Sequence, residues 1–264
     1  MNDLITVTEF MGRKSAGQKI CMLTAYDHTM ASLLDTAGVD GILVGDSLAM
    51  VVQGHDTTLP VTLDQIIYHA EMVGRAVRRA LVVVDLPFAS YHVGMQQAIA
   101  AAARVLKETR CQAVKLEGGV EQAATIEALV HTGIPVMAHV GLRPQSVRQM
   151  GGYRVQRDEQ KLMDDARSAE DAGAFAIVLE CIPASLAEKL TGALEIPTIG
   201  IGAGAGCDGQ VLVTNDLLGL TTGHVPRFVR AQADLKDTIG GAVSRYCEEV
   251  REGTFPGSEE SYRD

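Results

Sequence analysis

The feature that most constrains this chain is a recurrence. Short runs rich in Val, Ile and Leu return along its length, each followed by a stretch of helical character. The runs are KICMLTAYD (19–27), GILVGDS (41–47), LVVVDLPF (81–88), AVKLEGG (113–119), PVMAHVG (135–141), AFAIVLEC (174–181) and PTIGIGAG (197–204), with a weaker QVLVTND (210–216). They are continuous rather than alternating, which predicts parallel strands covered on both faces. Helices are expected between them at 28–37, 62–80, 95–109, 121–132, 158–172 and 184–192. Thr62 and Gln65 have the spacing of a capping box. The Ala-Gly pairs at 37–38 and 172–173 stand where a C-cap glycine belongs.

About eight βα units follow one another in 264 residues with no linker or charge block between them. That pattern fits an α/β fold, a (β/α)8 TIM barrel forming a single domain over 1–264. A doubly wound open sheet is the alternative. The stretch 227–252 reads as an additional C-terminal helix, with Phe228, Val229, Leu235, Ile239, Val243 and Tyr246 close to one apolar face. Residues 227–264 are thus C-terminal helix and tail.

Composition narrows the function. Asp and Glu number 33 against 23 Lys and Arg, a net charge of −10. This opposes a nucleic-acid partner, which needs a basic face, and an anionic membrane surface. No apolar run reaches the roughly 20 residues of a membrane helix, and the N-terminal stretch lacks the pattern of a signal peptide. The five cysteines are odd in number and widely spaced, without a CxxC pair. A disulfide framework or structural zinc site is not expected, and the reducing cytoplasm is the default location.

Ionisable and polar residues gather at the strand ends: Tyr26 and Asp27, Asp46 and Ser47, Asp85, Lys115 and Glu117, His139, and Glu180. In a parallel barrel these ends meet at one mouth, where active sites are built. Asp46 alone could be a helix cap, but Asp85 precedes Leu-Pro, and Pro87 already sets that turn. Asp46, Asp85 and Glu117 at one mouth repel each other, and a divalent cation resolves the repulsion. Oxygen ligands without cysteine or paired histidine suggest Mg²⁺. Lys115 and Glu117 are two apart on a strand and share a face, as an active-site pair or a structural ion pair. Glu180 ends the most apolar run, where a general base or a buried, paired glutamate could stand. His139 is a possible contact to a substrate oxygen or a satisfied core histidine.

The segment IGIGAGAGCDGQ (199–210) contains a literal GxGxxG at Gly204, Gly206 and Gly209. It lies in the seventh unit with no acidic residue about 20 positions on, which argues against a dinucleotide site. It is either a phosphate-binding loop or close packing of backbone. Two long loops, 51–62 and 141–160, are candidates to cover the mouth.

The stretches GDSLAMVVQGHDTTLPVT, VDLPF, VKLEGG, HVGLRPQSV, GGYRVQ, LECIP, IGIGAG, DGQVLV and GHVPRF together resemble the ketopantoate hydroxymethyltransferase family over roughly residues 20 to 256. The resemblance implies a barrel of the phosphoenolpyruvate/pyruvate type. It also implies a cytoplasmic homodecamer (a dimer of pentamers), Mg²⁺ and a place in pantothenate biosynthesis. The implied reaction moves a hydroxymethyl group from 5,10-methylenetetrahydrofolate to 3-methyl-2-oxobutanoate through a Mg-stabilised enolate and aldol-type addition. By motif, Asp46 and Asp85 become direct Mg²⁺ ligands that also face the substrate, and Glu117 the third metal-site carboxylate. Ser47 and Lys115 become contacts to the keto acid, and Glu180 the base. Ala49, Arg154 and Arg157 depart from the family's usual residues. A lyase or mutase of the same superfamily is a second reading, although such enzymes use a loop cysteine and neither long loop has one. A non-catalytic binding protein on the same fold is a third.

Overall fold

The structure, a computed structural model, describes residues 4–263. The apolar runs become eight parallel strands. They are β1 (Ile20–Thr24), β2 (Gly41–Val44), β3 (Leu81–Asp85), β4 (Ala113–Glu117), β5 (Val136–Gly141), β6 (Ala176–Glu180), β7 (Thr198–Ile201) and β8 (Gly209–Leu212). Each pairs with its successor and β8 pairs with β1, so the sheet closes and has no edge. Closure rules out the open doubly wound sheet. The register sets Lys115 beside Asp85, His139 beside Glu117, and Glu180 beside Gly141. These pairs stand at the C-terminal ends of β3 to β6.

Helices follow most strands where the periodicity predicts them, but the one expected to reach 80 ends at Ala76, where Val77 turns extended at ψ 137°, and none separates β7 from β8. Thr62 and Gln65 form the reciprocal capping box that opens Leu63–Ala76. Asp27 caps His28–Ala37 by accepting the Met30 amide, and Gly38 ends that helix at φ 93°. Asp27 is therefore a cap. The helix expected over 121–132 begins as a 3-10 turn, Val120–Gln122, before Ala123–His131.

The barrel interior is filled by inward side chains, among them Met22, Leu43, Val83, Met137, Val178 and Ile199. One element was not anticipated. Val7–Ser15 is a helix with a complete capping box between Thr6 and Glu9. Its Phe10 is fully buried and meets the Phe175 ring edge-on at 5.8 Å. It belongs to the same cluster as Ile20, Leu81 and Ala113, which open their strands, so this helix plugs the N-terminal end of the barrel. Lys14 adds an ion pair to Asp208 at 2.9 Å. Only one residue of the helix is buried, so its sequence carries little periodic signal.

The chain falls into two compact units, one ending at Val213 and the other opening at Thr214. The second contains Leu235–Glu252, a helix that starts at Asp234, whose side chain accepts the Asp237 amide. The helix expected from 227 thus begins later. Leu235, Ile239, Val243 and Tyr246 lie on it, while Phe228 and Val229 precede it. The reason is local. The amides of Gln232 and Leu235 donate to the carbonyls of Leu217 and Leu218, which holds the approach in a non-helical path. Among the described residues no helix is long and apolar enough to cross a membrane.

Candidate active site

Four strand ends and the loop after β2 deliver ionisable side chains to one mouth. Asp46 follows β2, Asp85 ends β3, Lys115 and Glu117 lie on β4, His139 on β5, and Glu180 ends β6. The side chains of Asp85, Lys115, Glu117 and His139 are almost wholly buried, whereas that of Glu180 is 15% exposed. Glu180 therefore stands toward solvent, where an incoming molecule can meet it.

The groups form a chain. Lys115 Nζ lies 3.0 Å from Asp85 Oδ1 and 3.1 Å from His139 Nδ1. An ammonium has only donors, so Nδ1 must accept and the imidazole proton resides on Nε2. That nitrogen faces Glu180 Oε2 at 3.1 Å. The alignment falls short of a formed hydrogen bond, as does that of Lys115 to Asp85 Oδ1. Burial and the neighbouring Lys115 charge push the His139 pKa down, which keeps the ring neutral. Burial alone would push Lys115 down, but Asp85, Glu117 and Asp46 outweigh it and hold the ammonium above its ordinary value.

The carboxylates are in excess. Burial and the Asp85 charge push Asp46 up to about 7. Burial and Asp46 push Glu117 well above the usual carboxylate range. One ammonium does not balance this set, so a divalent cation has an electrostatic reason to enter. The donors are all oxygens, the ligand type a magnesium ion takes, and magnesium keeps several waters beside one or two carboxylates. Asp46, Asp85 and Glu117 are the carboxylates that could supply those oxygens. Among the described residues no three His, Cys, Asp or Glu side chains converge tightly enough to hold a metal as they stand. Each carboxylate is engaged by the protein instead. Asp85 Oδ2 accepts the Asp46 amide at 3.0 Å, Asp46 Oδ2 accepts from the Gln145 side chain at 2.9 Å, and Glu117 Oε2 accepts the Gln145 amide at 3.0 Å.

Small residues let the groups approach. A Cβ on Gly45 would come within 2.8 Å of Ser47 Oγ and 3.4 Å of Asp85 Oδ2. Gly141 sits at φ 95°, and its Cβ would meet the Glu180 carbonyl at 2.2 Å. Ser47 Oγ and Tyr26 Oη are 2.7 Å apart and share a hydrogen bond.

The ketopantoate hydroxymethyltransferase family profile matches residues 4–258. A 3-methyl-2-oxobutanoate hydroxymethyltransferase of Rhodopirellula baltica is 56% identical over 258 residues, 98% of this chain and 96% of that protein. The chain belongs to the ketopantoate hydroxymethyltransferase family. It is therefore an enzyme, a hydroxymethyltransferase. More distant structures share its fold. A phosphonopyruvate hydrolase solved with oxalate and Mg²⁺ superposes with a TM-score of 0.64 at 12% identity, covering 98% of this chain and 93% of that one. A 2,3-dimethylmalate lyase, a member of the PEP mutase/isocitrate lyase superfamily, gives 0.61 at 18% identity, covering 97% and 91%.

In this hydroxymethyltransferase the residues Asp46, Ser47, Asp85, Lys115, Glu117, His139 and Glu180 stand around one mouth. Both ring nitrogens of His139 face protein groups, so its position is between Lys115 and Glu180. Two residues escaped the sequence reading, Gln145 and Tyr91. Both are neutral and lie within loops, and only their hydrogen bonds to Glu117 and Asp46 reveal them. The glycine-rich segment packs backbone. A Cβ on Gly204 would meet Ala184 at 2.5 Å, and one on Gly209 would meet the Ile20 carbonyl at 2.6 Å. Of the family departures, Ala49 is buried in the short helix Leu48–Val51, while Arg154 and Arg157 are exposed.

Proposed function

We propose that this enzyme transfers a hydroxymethyl group from 5,10-methylenetetrahydrofolate to 3-methyl-2-oxobutanoate, giving 2-dehydropantoate for pantothenate and coenzyme A synthesis. The observation that carries the reading is the placement of a solvent-facing carboxylate, Glu180, beside a neutral histidine and a buried ammonium at one mouth. Such a set suits abstraction of a proton next to a carbonyl.

Glu180 takes the C3 proton of the bound 2-oxo acid. His139 orients Glu180 through Nε2, whose 3.1 Å contact tightens into a hydrogen bond when substrate is bound. The Lys115 ammonium stabilises negative charge as it develops on the keto oxygen. Water releases the one-carbon unit as formaldehyde, breaking both of its bonds to folate nitrogens, which take up the two protons of that water. The enolate carbon then adds to the formaldehyde carbon, and the resulting alkoxide takes back the proton held by Glu180 to become the hydroxyl. Ser47 holds the substrate from the side of Tyr26. Asp46 and Asp85, with Glu117 as the third carboxylate of the site, would hold Mg²⁺, which would supply Lewis acidity to make the C3 proton easier to remove. A cation there also explains how a protein of net charge −10 accepts an anionic substrate.

A homodecamer in the cytoplasm belongs to the same reading, and sedimentation equilibrium measures its size. The chemistry is tested by incubating the protein with 3-methyl-2-oxobutanoate in D₂O, with Mg²⁺ and with chelator, and following the C3 proton by NMR. Metal-dependent exchange, then product on adding methylenetetrahydrofolate, is expected. Asp85→Ala should lose metal dependence together with activity, and Glu180→Gln should lose exchange. Wild-type exchange in Glu180→Gln would remove Glu180 as the base, and no exchange in the folded wild type would overturn the reaction.

A further inference from the structure

Gln145 lies in a 3-10 turn, Pro144–Ser146, just after β5, and is 5% exposed. Every polar atom of its side chain is committed. Nε2 donates to Asp46 Oδ2 at 2.9 Å and to the Leu86 carbonyl at 3.0 Å, while Oε1 accepts from the Tyr91 hydroxyl at 2.8 Å. Flipping the amide would set its oxygen against two acceptors, so its orientation is fixed by the neighbours. The main-chain N–H of the same residue donates to Glu117 Oε2 at 3.0 Å.

Tyr91 closes the circuit. It is 1% exposed, and its oxygen accepts the Glu117 amide at 3.2 Å. The hydroxyl has one proton, and the shorter contact to Gln145 takes it in preference to the Glu117 carbonyl at 3.3 Å. One residue thus grips two carboxylates that arrive from different strands, and a second buried residue locks the grip. Asp46 and Glu117 repel each other whenever both are ionised in low dielectric, and would then separate.

We propose that Gln145 is a positioning residue for the cation site. It fixes one oxygen of Asp46 through its amide and one oxygen of Glu117 through its backbone. The second oxygen of each, which for Glu117 lies 3.8 Å from His139 Nδ1, is left to face the ion or its water. This rests on the reading that these carboxylates serve a divalent cation. Residues that orient metal ligands typically change metal affinity by about 10–100-fold when removed.

The probe is Mn²⁺, titrated into the full-length protein without substrate and followed by EPR. The variants are Gln145→Met, which keeps volume and the backbone N–H but removes the amide, and Tyr91→Phe, which removes only the hydroxyl. Wild type should bind, Gln145→Met should raise Kd about tenfold or more, and Tyr91→Phe should raise it about threefold. Activity lost by Gln145→Met at limiting Mg²⁺ should return at saturating Mg²⁺, which a general packing defect would not allow. Unchanged Mn²⁺ affinity in folded Gln145→Met overturns the inference while leaving the metal reading intact. If that variant fails to fold, unchanged affinity in Tyr91→Phe overturns it. No Mn²⁺ binding by the wild type overturns both.

Discussion

Glu180 Oε2 lies 3.1 Å from Nε2 of His139, and the imidazole is turned by the Lys115 ammonium on its other nitrogen. Lys115 thereby reaches the candidate base without touching it. The contact is not yet an aligned hydrogen bond, and one that tightens on a carboxylate during the reaction is worth roughly 1.5–3 kcal/mol. His139→Ala should therefore slow C3 proton exchange by about ten- to a hundredfold. Exchange measured by NMR in the folded variant checks this, and a wild-type rate would show that Glu180 needs no orienting partner.

The protein without metal should lose stability as pH rises. Asp46 keeps its proton up to about pH 7 in the folded state, against an ordinary value of 3.8 when unfolded. Between these values the native state holds the extra proton, so stability falls across the window and levels off above it. A cation held at Asp46, as proposed, would compete with that proton. Excess Mg²⁺ should raise Tm more at about pH 8 than at about pH 6. Melting curves at both values test it, and an equal gain at each would refute the competition.

Gly141→Ala should damage the site through the backbone. The residue is at φ 95°, and a Cβ would press on the Glu180 carbonyl at 2.2 Å. Backbone strain of this kind costs on the order of 1–3 kcal/mol. A lower denaturation midpoint together with reduced C3 exchange is the expected pair of results. Loss of stability with full exchange would mean that β6 relaxes without moving Glu180.

Phe10→Ala separates fold from chemistry. Phe10 is fully buried against Phe175 at the end of the barrel opposite the mouth. Removing a buried phenylalanine costs about 3–5 kcal/mol. Tm should fall by several degrees while kcat/KM, measured well below the transition, stays close to wild type. An equal loss of activity at low temperature would show that the plug is coupled to the mouth.

Much of the fold was legible because its cause is local. AFAIVLEC is apolar on both faces since helices and core cover both sides of β6, the pattern expected of a buried parallel strand. Thr62 and Gln65 mark a helix start because the capping bonds are made within four residues. The site was legible for a related reason. A carboxylate at the end of an apolar strand is costly unless used, so Asp85, Glu117 and Glu180 were visible as exceptions.

The N-terminal helix was not legible, since Phe10 is the only buried anchor in Val7–Ser15 and its partner Phe175 is far along the chain. Nor was the start of the C-terminal helix, where bonds from Gln232 and Leu235 to Leu217 and Leu218 override an apolar pattern at Phe228 and Val229.

By itself, then, the sequence determined the barrel, the mouth and the charged residues that reach it, because burial pattern and charge placement are properties of each segment. Only the tertiary structure decided which atoms of those residues meet. The His139 tautomer follows from Lys115 Nζ at 3.1 Å, and the grip of Gln145 on Asp46 joins residues 99 positions apart. Hydrogen bonds of that range depend on barrel register and loop path, which side-chain pattern along one segment does not encode.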